Sequence, residues 1–415
     1  MLSSSATRLR RIFVNLVFFY VALATLANGL IVRRVSRNWI ISDWLINYEG
    51  GFVRRGLPGE VAYLLGRLLH LSPVLFVVVF YLSLYAILFL AVRSLALSSS
   101  MNLWVLALIA SPATLSFQIL HPLAGFRKEL IFLAALALFV VLLRRTSISP
   151  VAATGYITLV TVVAVFSHEG LIFFAPYFFA ALVLGGRTPS QALRQCIVPA
   201  IAGAAVFYLC TSHLGNVEIA ARICSSLGYK LMSPVNSQIC GSGAIPYLRQ
   251  TRAMAQVEAF AIIRDQHYLT IFPGFVLLTL LPAVAESIVL GRRGLRLDLR
   301  VLWISSAVAF LGSIVLFVYG VDWGRWIYIH ITSLTILLIS LDAKTLDRAT
   351  ALPAEEPMST PVRRAAGMAF LFAYALLWIL PNGAGEQLHM GYVGRLLYLH
   401  HYNSHAASSE PVTSE

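Results

Sequence analysis

Apolar runs long enough to cross a lipid bilayer recur along almost the whole chain, and this feature limits the fold more than any other. The chain has 415 residues, of which 59% are hydrophobic and 12% are charged, and its mean hydropathy is +0.79. One soluble core cannot bury that much apolar surface. The runs are of helical length, and the even train of short alternating strands that marks a membrane β-barrel does not occur. The sequence therefore predicts an all-α, polytopic bundle of transmembrane helices.

About eleven such spans are predicted from the apolar runs. In chain order they cover residues 13–32, 72–92, 102–120, 129–143, 151–167, 170–186, 197–212, 268–291, 301–320, 326–341 and 365–381.

Basic residues near the ends of the spans predict the orientation, because short cytoplasmic loops are enriched in Lys and Arg. With a cytoplasmic N-terminus, every predicted inner loop is basic, including the run "GRRGLRLDLR" at 291–300. About half of the 31 Lys and Arg residues nevertheless fall outside, which is more than the rule predicts. The short cationic loops between spans argue against a nucleic-acid partner, despite the net charge of +13. We therefore expect a multi-pass membrane protein whose outer face binds an anionic group.

The chain is interpreted as one transmembrane domain, residues 1–381, followed by an outer segment, residues 382–415, with a disordered end. Its predicted outer-face loops are 33–71, 121–128, 213–267 and 321–325. The long third loop contains Cys224 and Cys240, which form either a disulfide or two free thiols. No cysteine or histidine spacing is typical of zinc, so no metal or other cofactor is predicted, although carboxylates on the outer face are compatible with a divalent cation.

The stretch "DWLINYEGGFVRRGLPGE", residues 43–60, follows the first span and is dense in charge and glycine. Arg54 and Arg55 are candidate phosphate ligands, because a forked guanidinium matches the geometry of phosphate oxygens. Asp43 and Glu49 are candidate catalytic carboxylates, and Tyr48 is a candidate sugar ligand. Adjacent side chains in an irregular loop usually point in different directions, so we expect the two guanidiniums not to bind the same pair of oxygens. The alternative is a loop that only anchors the chain at the interface.

The next stretch, "GEVAYLLGRLLHL" at 59–71, has apolar residues at helical spacing but is short and charged. It predicts an amphipathic helix lying in the outer interface. If this helix crossed the membrane instead, every later loop would change sides.

In "HPLAGFRKE", Arg127 and Lys128 precede a span at its outer end. The N-terminus of a helix already carries partial positive charge, so two cations there favour a bound anion. Both residues are therefore further candidate phosphate ligands. The alternative is that these charges only mark the boundary of the span.

Two shorter motifs lie on the same predicted face. "SHEG" holds His168 and Glu169 in a tight turn, where either side chain is a candidate general base if partial burial tunes its pKa. In "GVDWGRW", Asp322 and Arg325 are three residues apart and either contact the sugar or pair with each other on one helical turn. His168 is alternatively a hydrogen-bonded polar residue with no catalytic role.

Together the four motifs suit glycosyl transfer from a polyprenyl-phosphate donor. Cations stabilise the charge that develops on a departing phosphate, and a carboxylate or histidine activates the acceptor hydroxyl. The candidate catalytic residues are Glu49, Asp43, Glu169 and His168. The expected partners are a polyprenyl-linked glycan donor, a glycan acceptor, the lipid bilayer and other polysaccharide-assembly proteins.

An acidic first outer loop followed by an interfacial helix resembles the multi-spanning GT-C glycosyltransferases. The motifs "INYEGGFVRRGLPGE", "FRKE", "SHEG" and "DWGRW" are similar to membrane proteins of bacterial surface-polysaccharide assembly, including Wzy-type polymerases. This resemblance implies that undecaprenyl-pyrophosphate-linked units are joined at the periplasmic face, generally without a metal, and that Arg54 and Arg55 hold the phosphate. Two other classes stay open, namely a lipid-linked-oligosaccharide flippase or assembly partner, and an acyl- or phosphoalkyl-transferase that modifies surface glycans.

Overall fold

The computed structural model describes residues 2–32, 39–232, 238–241, 243–348, 361–383 and 391–392. Within these ranges the regular structure is helical and no strand occurs, which confirms the predicted all-α class. Two 3₁₀ helices cover Glu169–Phe174 and Pro246–Arg249. The α-helices in chain order are α1 Leu2–Val32, α2 Trp39–Trp44, α3 Leu57–Leu69, α4 Pro73–Leu97, α5 Leu103–Ala110, α6 Phe117–Leu120, α7 Pro122–Gly125, α8 Leu130–Arg145, α9 Pro150–Ser167, α10 Pro176–Leu184, α11 Pro189–Ser212, α12 Val217–Ser226, α13 Gln238–Gly241, α14 Arg252–Asp265, α15 Tyr268–Arg292, α16 Arg296–Tyr319, α17 Trp323–Arg348 and α18 Pro361–Leu376.

Seven of the described helices are long and apolar enough to cross a bilayer, so the protein is a polytopic membrane protein. They are α1, α4, α9, α11, α15, α16 and α17, and each coincides with one of the predicted spans. The other four predicted spans, 102–120, 129–143, 170–186 and 365–381, coincide with shorter or broken helices. The total of eleven therefore stays a prediction.

Helix α17 lies at the centre of the bundle. Residues 324–343 of this helix are all buried, whereas only 28% of the residues are buried in the most apolar 18-residue stretches of α1, α15 and α16. It packs against α4, α5, α8, α10, α15 and α16. A helix that is apolar on all sides and enclosed in this way belongs to the core of the protein. Its first turn consequently lies among the loops at one end of the bundle.

The predicted continuous span at 102–120 is wrong. Helix α5 ends at Ala110, and Ser111 takes an extended backbone, because the residue before a proline such as Pro112 is disfavoured in helical conformation. The Thr114 hydroxyl donates to the Leu108 carbonyl oxygen at 2.8 Å and replaces part of the lost helical bonding. Such irregular backbone is tolerated in a membrane where protein surrounds it. After the break, residues 124–129 are buried in the interior of the bundle.

Helix α3 agrees with the predicted interfacial helix. Its 13 residues extend about 20 Å, which is less than the ~30 Å hydrocarbon core of a bilayer. Its small residues Gly59, Ala62 and Gly66 are buried against the protein. A Cβ atom on Gly59 would lie 2.0 Å from the Ile46 carbonyl oxygen, so this contact requires glycine. The apolar side chains predicted for one face are all exposed, and they are Val61, Leu64, Leu65, Leu68 and Leu69.

The segment between α11 and α15, predicted as one long loop, contains α12, α13 and α14. Cys224 and Cys240 are joined in a disulfide, with their Cα atoms 5.9 Å apart. The segment packs on α2, where the Ser42 hydroxyl donates to the Ile239 carbonyl at 2.7 Å and accepts from the Ile245 N–H at 3.0 Å. These hydrogen bonds hold the segment beside α2 and the loop that follows it. The predicted disordered end lies outside the described residues.

Candidate functional site

Charged residues from all four sequence motifs meet at one end of the bundle. Ion pairs and hydrogen bonds connect the loops that follow α2 and α9 with the residues that precede α8 and begin α17. We call this group the charged cluster, and its members are Asp43, Arg54, Arg55, Arg127, Lys128, Glu129, His168, Glu169, Asp322 and Arg325.

Arg54 and Arg55 both bind the carboxylate of Glu169. Arg54 donates to Oε1 at 3.1 Å, while Arg55 donates to Oε1 at 2.7 Å and to Oε2 at 2.8 Å. The two guanidiniums thus converge on one carboxylate, although adjacent side chains in an irregular loop usually point in different directions. Arg55 has a positive φ of 66°, and this left-handed turn directs the two neighbouring side chains to one point.

This clamp also determines the protonation state of Glu169. Burial alone would raise the pKa of its carboxyl group, but the charges of Arg55 and Arg54 hold that pKa well below the usual value. An ionised carboxylate with three hydrogen bonds from guanidinium groups is a weak proton acceptor. Glu169 therefore suits the role of a counter-charge better than that of a general base.

Lys128 and Asp43 form a buried ion pair within the charged cluster. The Lys128 ammonium is fully buried, donates to the Arg55 carbonyl oxygen at 2.8 Å and lies 3.6 Å from Asp43 Oδ1. Arg127 approaches Asp43 Oδ2 at 3.9 Å. Burial would raise the pKa of Asp43, but Lys128 and Arg127 lower it to about 2. Burial lowers the pKa of Lys128 to about 8, against the opposing charge of Asp43.

Asp322 and Arg325 form an ion pair at the start of α17. Their closest atoms, Asp322 Oδ2 and Arg325 Nη2, are 3.0 Å apart, and the other carboxylate oxygen accepts from the Asn382 side chain at 2.9 Å. Burial would raise the pKa of Asp322, but Arg325 lowers it. The Arg325 guanidinium lies 4.5 Å from the ring centroid of Trp326. Of the two alternatives from the sequence, the structure forms the internal pair.

Glu129 is the cluster member to which the sequence assigned no role. Its side chain is 2% exposed, and Oε1 lies 3.4 Å from Arg325 Nε and 3.9 Å from His168 Nε2. Within the described part of the chain, neither carboxylate oxygen has a hydrogen-bond partner. The signal in the sequence was a carboxylate directly after Arg127 and Lys128, at a helix N-terminus.

His168 faces Glu129 in a definite tautomer. Its Nδ1 accepts a hydrogen bond from the Gly170 N–H at 3.2 Å, so the proton of the neutral ring belongs on Nε2. Burial, followed by the charge of Arg55, holds the pKa of His168 well below its usual value, and the ring is neutral near pH 7. The Nε2–H group is therefore the one that lies toward Glu129.

Glu49 and Tyr48 lie apart from the charged cluster. The Glu49 side chain is exposed, and among the described contacts it makes none with a cluster member. Tyr48 stacks on Phe52 with ring centroids 5.4 Å apart, and its backbone N–H donates to Glu60 Oε2 at 2.8 Å. The geometry thus brings Asp43, and not Glu49 or Tyr48, into the group predicted from the first motif.

The cluster holds five cations and four carboxylates, so with His168 neutral it carries one net positive charge. Across the described residues, no group of three or more His, Cys, Asp or Glu side chains is arranged to hold a metal ion. The arrangement is suited to binding an anion.

Comparison with known proteins places the chain in a family. A family model described as "Uncharacterised membrane protein Rv1490" matches residues 12–260, which is more than half of the chain. The chain belongs to the Rv1490 family. The part matched to Rv1490 contains every cluster member except Asp322 and Arg325, which follow it on α17. No curated protein and no solved structure matches the chain.

Proposed function

We propose that this Rv1490-family protein is a membrane glycosyltransferase or polymerase of surface-polysaccharide assembly. It transfers a glycan from a polyprenyl-phosphate or polyprenyl-pyrophosphate donor to a glycan acceptor at the periplasmic face of the inner membrane. The observation that carries this proposal is the charged cluster at one end of a membrane bundle. In it, cations held by Glu169 meet a buried carboxylate that has no hydrogen-bond partner among the described residues.

The cations support a phosphate leaving group. Arg54 and Arg55 are each 28% exposed, so the edge of the clamp remains open to a ligand. A guanidinium has five N–H donors, and Arg55 directs two of them to Glu169. Fixed donors of this kind stabilise the charge that grows on a phosphate as the glycosidic bond breaks.

The neighbouring helix supports a lipid-linked donor. Helix α3 begins at Leu57, two residues after Arg55, and presents its apolar side chains outward. An amphipathic helix in this position lies where lipid tails meet head groups. A polyprenyl chain can then stay in the bilayer while its phosphate reaches the guanidiniums, which a water-soluble nucleotide sugar does not require.

The test is genetic and biochemical. Deletion of the gene, or the Arg55→Gln substitution, is expected to make lipid-linked glycans accumulate and to shorten or abolish the surface polysaccharide in the organism that produces the protein. Glu218→Gln is the matched control, because this carboxylate pairs with Arg222 on the exposed surface of α12. Immunoblotting of membranes checks that each variant is inserted. Unchanged polysaccharide in both the deletion strain and the Arg55→Gln strain would refute the proposal.

A flippase is the principal competing class, and the positions of the polar groups argue against it. A translocation path needs polar groups along the spans. His330, a titratable group within α17, is instead bound on both sides, by the Tyr177 hydroxyl at 2.8 Å and the Ser313 hydroxyl at 2.9 Å. In proteoliposomes, we expect consumption of the lipid-linked donor without its movement between leaflets. Transbilayer movement without consumption would favour the flippase instead.

A further inference from the structure

Three of the four carboxylates in the charged cluster are already committed to cations. Glu169 accepts three hydrogen bonds from Arg54 and Arg55. Asp43 lies between Lys128 and Arg127, and its pKa is about 2. Asp322 binds Arg325 and Asn382, one with each carboxylate oxygen. In all three, neighbouring cations hold the pKa of the carboxyl group below its usual value, which does not suit a general base near pH 7.

Glu129 also lies near a cation, with Oε1 3.4 Å from Arg325 Nε, but neither of its oxygens has a hydrogen-bond partner among the described residues. It is the N-cap residue of α8, and its side chain makes no hydrogen bond to the first turn of that helix. The Glu129 side chain is 2% exposed, so bulk water does not supply the missing hydrogen bonds to its carboxylate. A buried carboxylate without hydrogen bonds is costly and calls for an explanation. The simplest explanation is a ligand that donates one.

The position of His168 identifies the kind of ligand. Its Nε2–H donor lies 3.9 Å from Glu129 Oε1, which is too long for a direct hydrogen bond. One oxygen atom placed about 2.8 Å from both atoms would bridge them, with an angle of about 90° at that oxygen. The bridging group must accept from Nε2–H and donate to the carboxylate. A hydroxyl group does both, whereas a phosphate oxygen only accepts.

We propose that Glu129 is the catalytic base that deprotonates the acceptor sugar hydroxyl, and that His168 is the positioning residue that orients it; this assignment rests on the proposed glycosyl transfer. The hydroxyl proton passes to a Glu129 oxygen, and the hydroxyl oxygen forms a bond to the anomeric carbon of the donor. The bond between that carbon and the phosphate oxygen breaks, and its electron pair leaves with the polyprenyl phosphate. The products are a glycoside, the polyprenyl phosphate and a protonated Glu129, which then returns its proton to water.

The charges are arranged in the order that this step requires. Glu129 directly follows Lys128, whose ammonium contacts the carbonyl oxygen of Arg55. The acceptor side at Glu129 and the leaving-group side at Arg54 and Arg55 are thus joined by one short stretch of chain. Arg325 forms an ion pair with Asp322 and lies 3.4 Å from Glu129 Oε1, and among the described residues it hydrogen-bonds neither oxygen of Glu129.

The experiment compares Glu129→Gln with the wild-type full-length protein in nanodiscs. The donor is the lipid-linked glycan pool extracted from a deletion strain, and binding of undecaprenyl phosphate is measured separately as a probe of the cation site. We expect kcat to fall by roughly 10²-fold or more, as for loss of a general base. The KM for the donor and the binding of undecaprenyl phosphate should change less than about twofold, because the cations are intact. Glu218→Gln is the control and should match the wild type.

His168 gives a second measurement on the same site. His168→Phe removes the Nε2–H donor and is expected to lower kcat by roughly tenfold, the cost of one misplaced hydrogen bond. His168→Gln offers an amide N–H in a similar place and should recover part of that loss. Equal rates in the Phe and Gln variants would argue against the orienting role.

The outcomes separate the two proposals. If the wild-type protein transfers no glycan, the proposed function is refuted and the role of Glu129 with it. If the wild type transfers glycan and Glu129→Gln is equally fast, or has lost undecaprenyl phosphate binding, only the assignment of Glu129 is refuted. Should Glu129→Gln fail to fold, Glu129→Asp keeps the charge and withdraws the carboxylate by one methylene. It must then lower kcat while undecaprenyl phosphate still binds, and an unchanged kcat would refute the assignment.

Discussion

Helix α17 carries a buried charged network at each end, and one carboxylate from each network, Asp342 and Glu129, differ in how completely their oxygens are hydrogen-bonded. At the end away from the charged cluster, Asp342 Oδ1 accepts from Arg293 at 2.6 Å and from the Ser100 hydroxyl at 2.9 Å. Its Oδ2 accepts from the Ser100 backbone N–H at 2.5 Å. Nearby, Glu286 Oε2 accepts from the Asn102 side chain at 2.9 Å. We call these five residues the opposite-end network.

In the charged cluster, Glu129 is buried as deeply as Asp342, at 2% and 0% exposure, yet its oxygens have no hydrogen-bond partner among the described residues. Burial and charge are therefore shared by both ends, and hydrogen bonding is what distinguishes the carboxylate of Asp342 from that of Glu129. A carboxylate with hydrogen bonds to both oxygens, such as Asp342, fixes a structure, whereas the oxygens of Glu129 are open to hydrogen bonds from a ligand. The comparison assigns stability to the opposite-end network and ligand binding to the charged cluster.

The largest expected effect is on the stability of the protein when Asp342 of the opposite-end network is replaced. Asp342→Ala removes the carboxylate that Arg293 and Ser100 contact, and breaking such a buried pair costs about 3–5 kcal/mol. We expect a clear loss of thermal stability and of folded protein in detergent. Transfer activity per folded molecule should stay near the wild-type value. A loss of activity at unchanged stability would contradict the assignment of stability to the opposite-end network and of ligand binding to the charged cluster.

The second largest effect is on the transfer activity when Arg54, Arg55 and Glu169 of the charged cluster are replaced. The triple substitution Arg54→Gln, Arg55→Gln and Glu169→Gln removes the whole clamp, so no member of it is left as an unpaired charge. Activity should fall by roughly 10²–10³-fold, the usual cost of losing fixed donors to a developing oxyanion. Thermal stability should change much less than in Asp342→Ala. A triple variant that melts as early as Asp342→Ala but keeps its activity per folded molecule would show that the clamp is structural.

The third effect is a pH dependence that belongs to the charged cluster alone. Because the pKa of Lys128 is about 8, its charge is present below that pH and is lost as the pH rises above it. Affinity for undecaprenyl phosphate should fall by roughly tenfold from pH 7 to pH 9. A phosphate monoester, with a second pKa near 6, has completed its ionisation by then and does not explain the fall. Lys128→Met should bind more weakly at pH 7 and lose this dependence.

The smallest effect returns to the opposite-end network. Ser100→Ala removes one of the hydrogen bonds to Asp342 and leaves Arg293 and the Ser100 backbone N–H in place. The expected cost is about 1 kcal/mol of stability, with no change in transfer activity. A stability loss as large as that of Asp342→Ala would mean that the pairing of this carboxylate depends on the hydroxyl more than the geometry indicates.

The positions of the spans and the meeting of the four motifs followed from sequence patterns. Apolar runs located the long helices, and the alternation of loops between two membrane faces predicted that "HPLAGFRKE", "SHEG" and "GVDWGRW" share an end with the first loop. The break after α5 had a local signal as well, the proline that follows Ser111, but the apolar composition of 102–120 outweighed it in the prediction.

The pairing inside the charged cluster could not be predicted in the same way, because it depends on contacts between distant segments. Arg55 takes a left-handed backbone whose carbonyl oxygen is held by Lys128, 73 residues away in the sequence. That turn brings Arg54 and Arg55 together on Glu169. The surroundings of the Glu129 carboxylate likewise depend on where the turn after α9 places His168 and where α17 places Arg325.

The central helix also sets the depth of the site in the membrane. Arg325 and Asp342 are 17 positions apart on α17, which corresponds to roughly 26 Å along the helix axis. A typical hydrocarbon core is about 30 Å thick. The two charged networks are therefore separated along α17 by slightly less than the thickness of that core. A phosphate bound at Arg54 and Arg55 would then lie at or just below the level of the lipid head groups. The isoprenoid tail could remain embedded throughout a catalytic cycle, and only the sugar would have to face water.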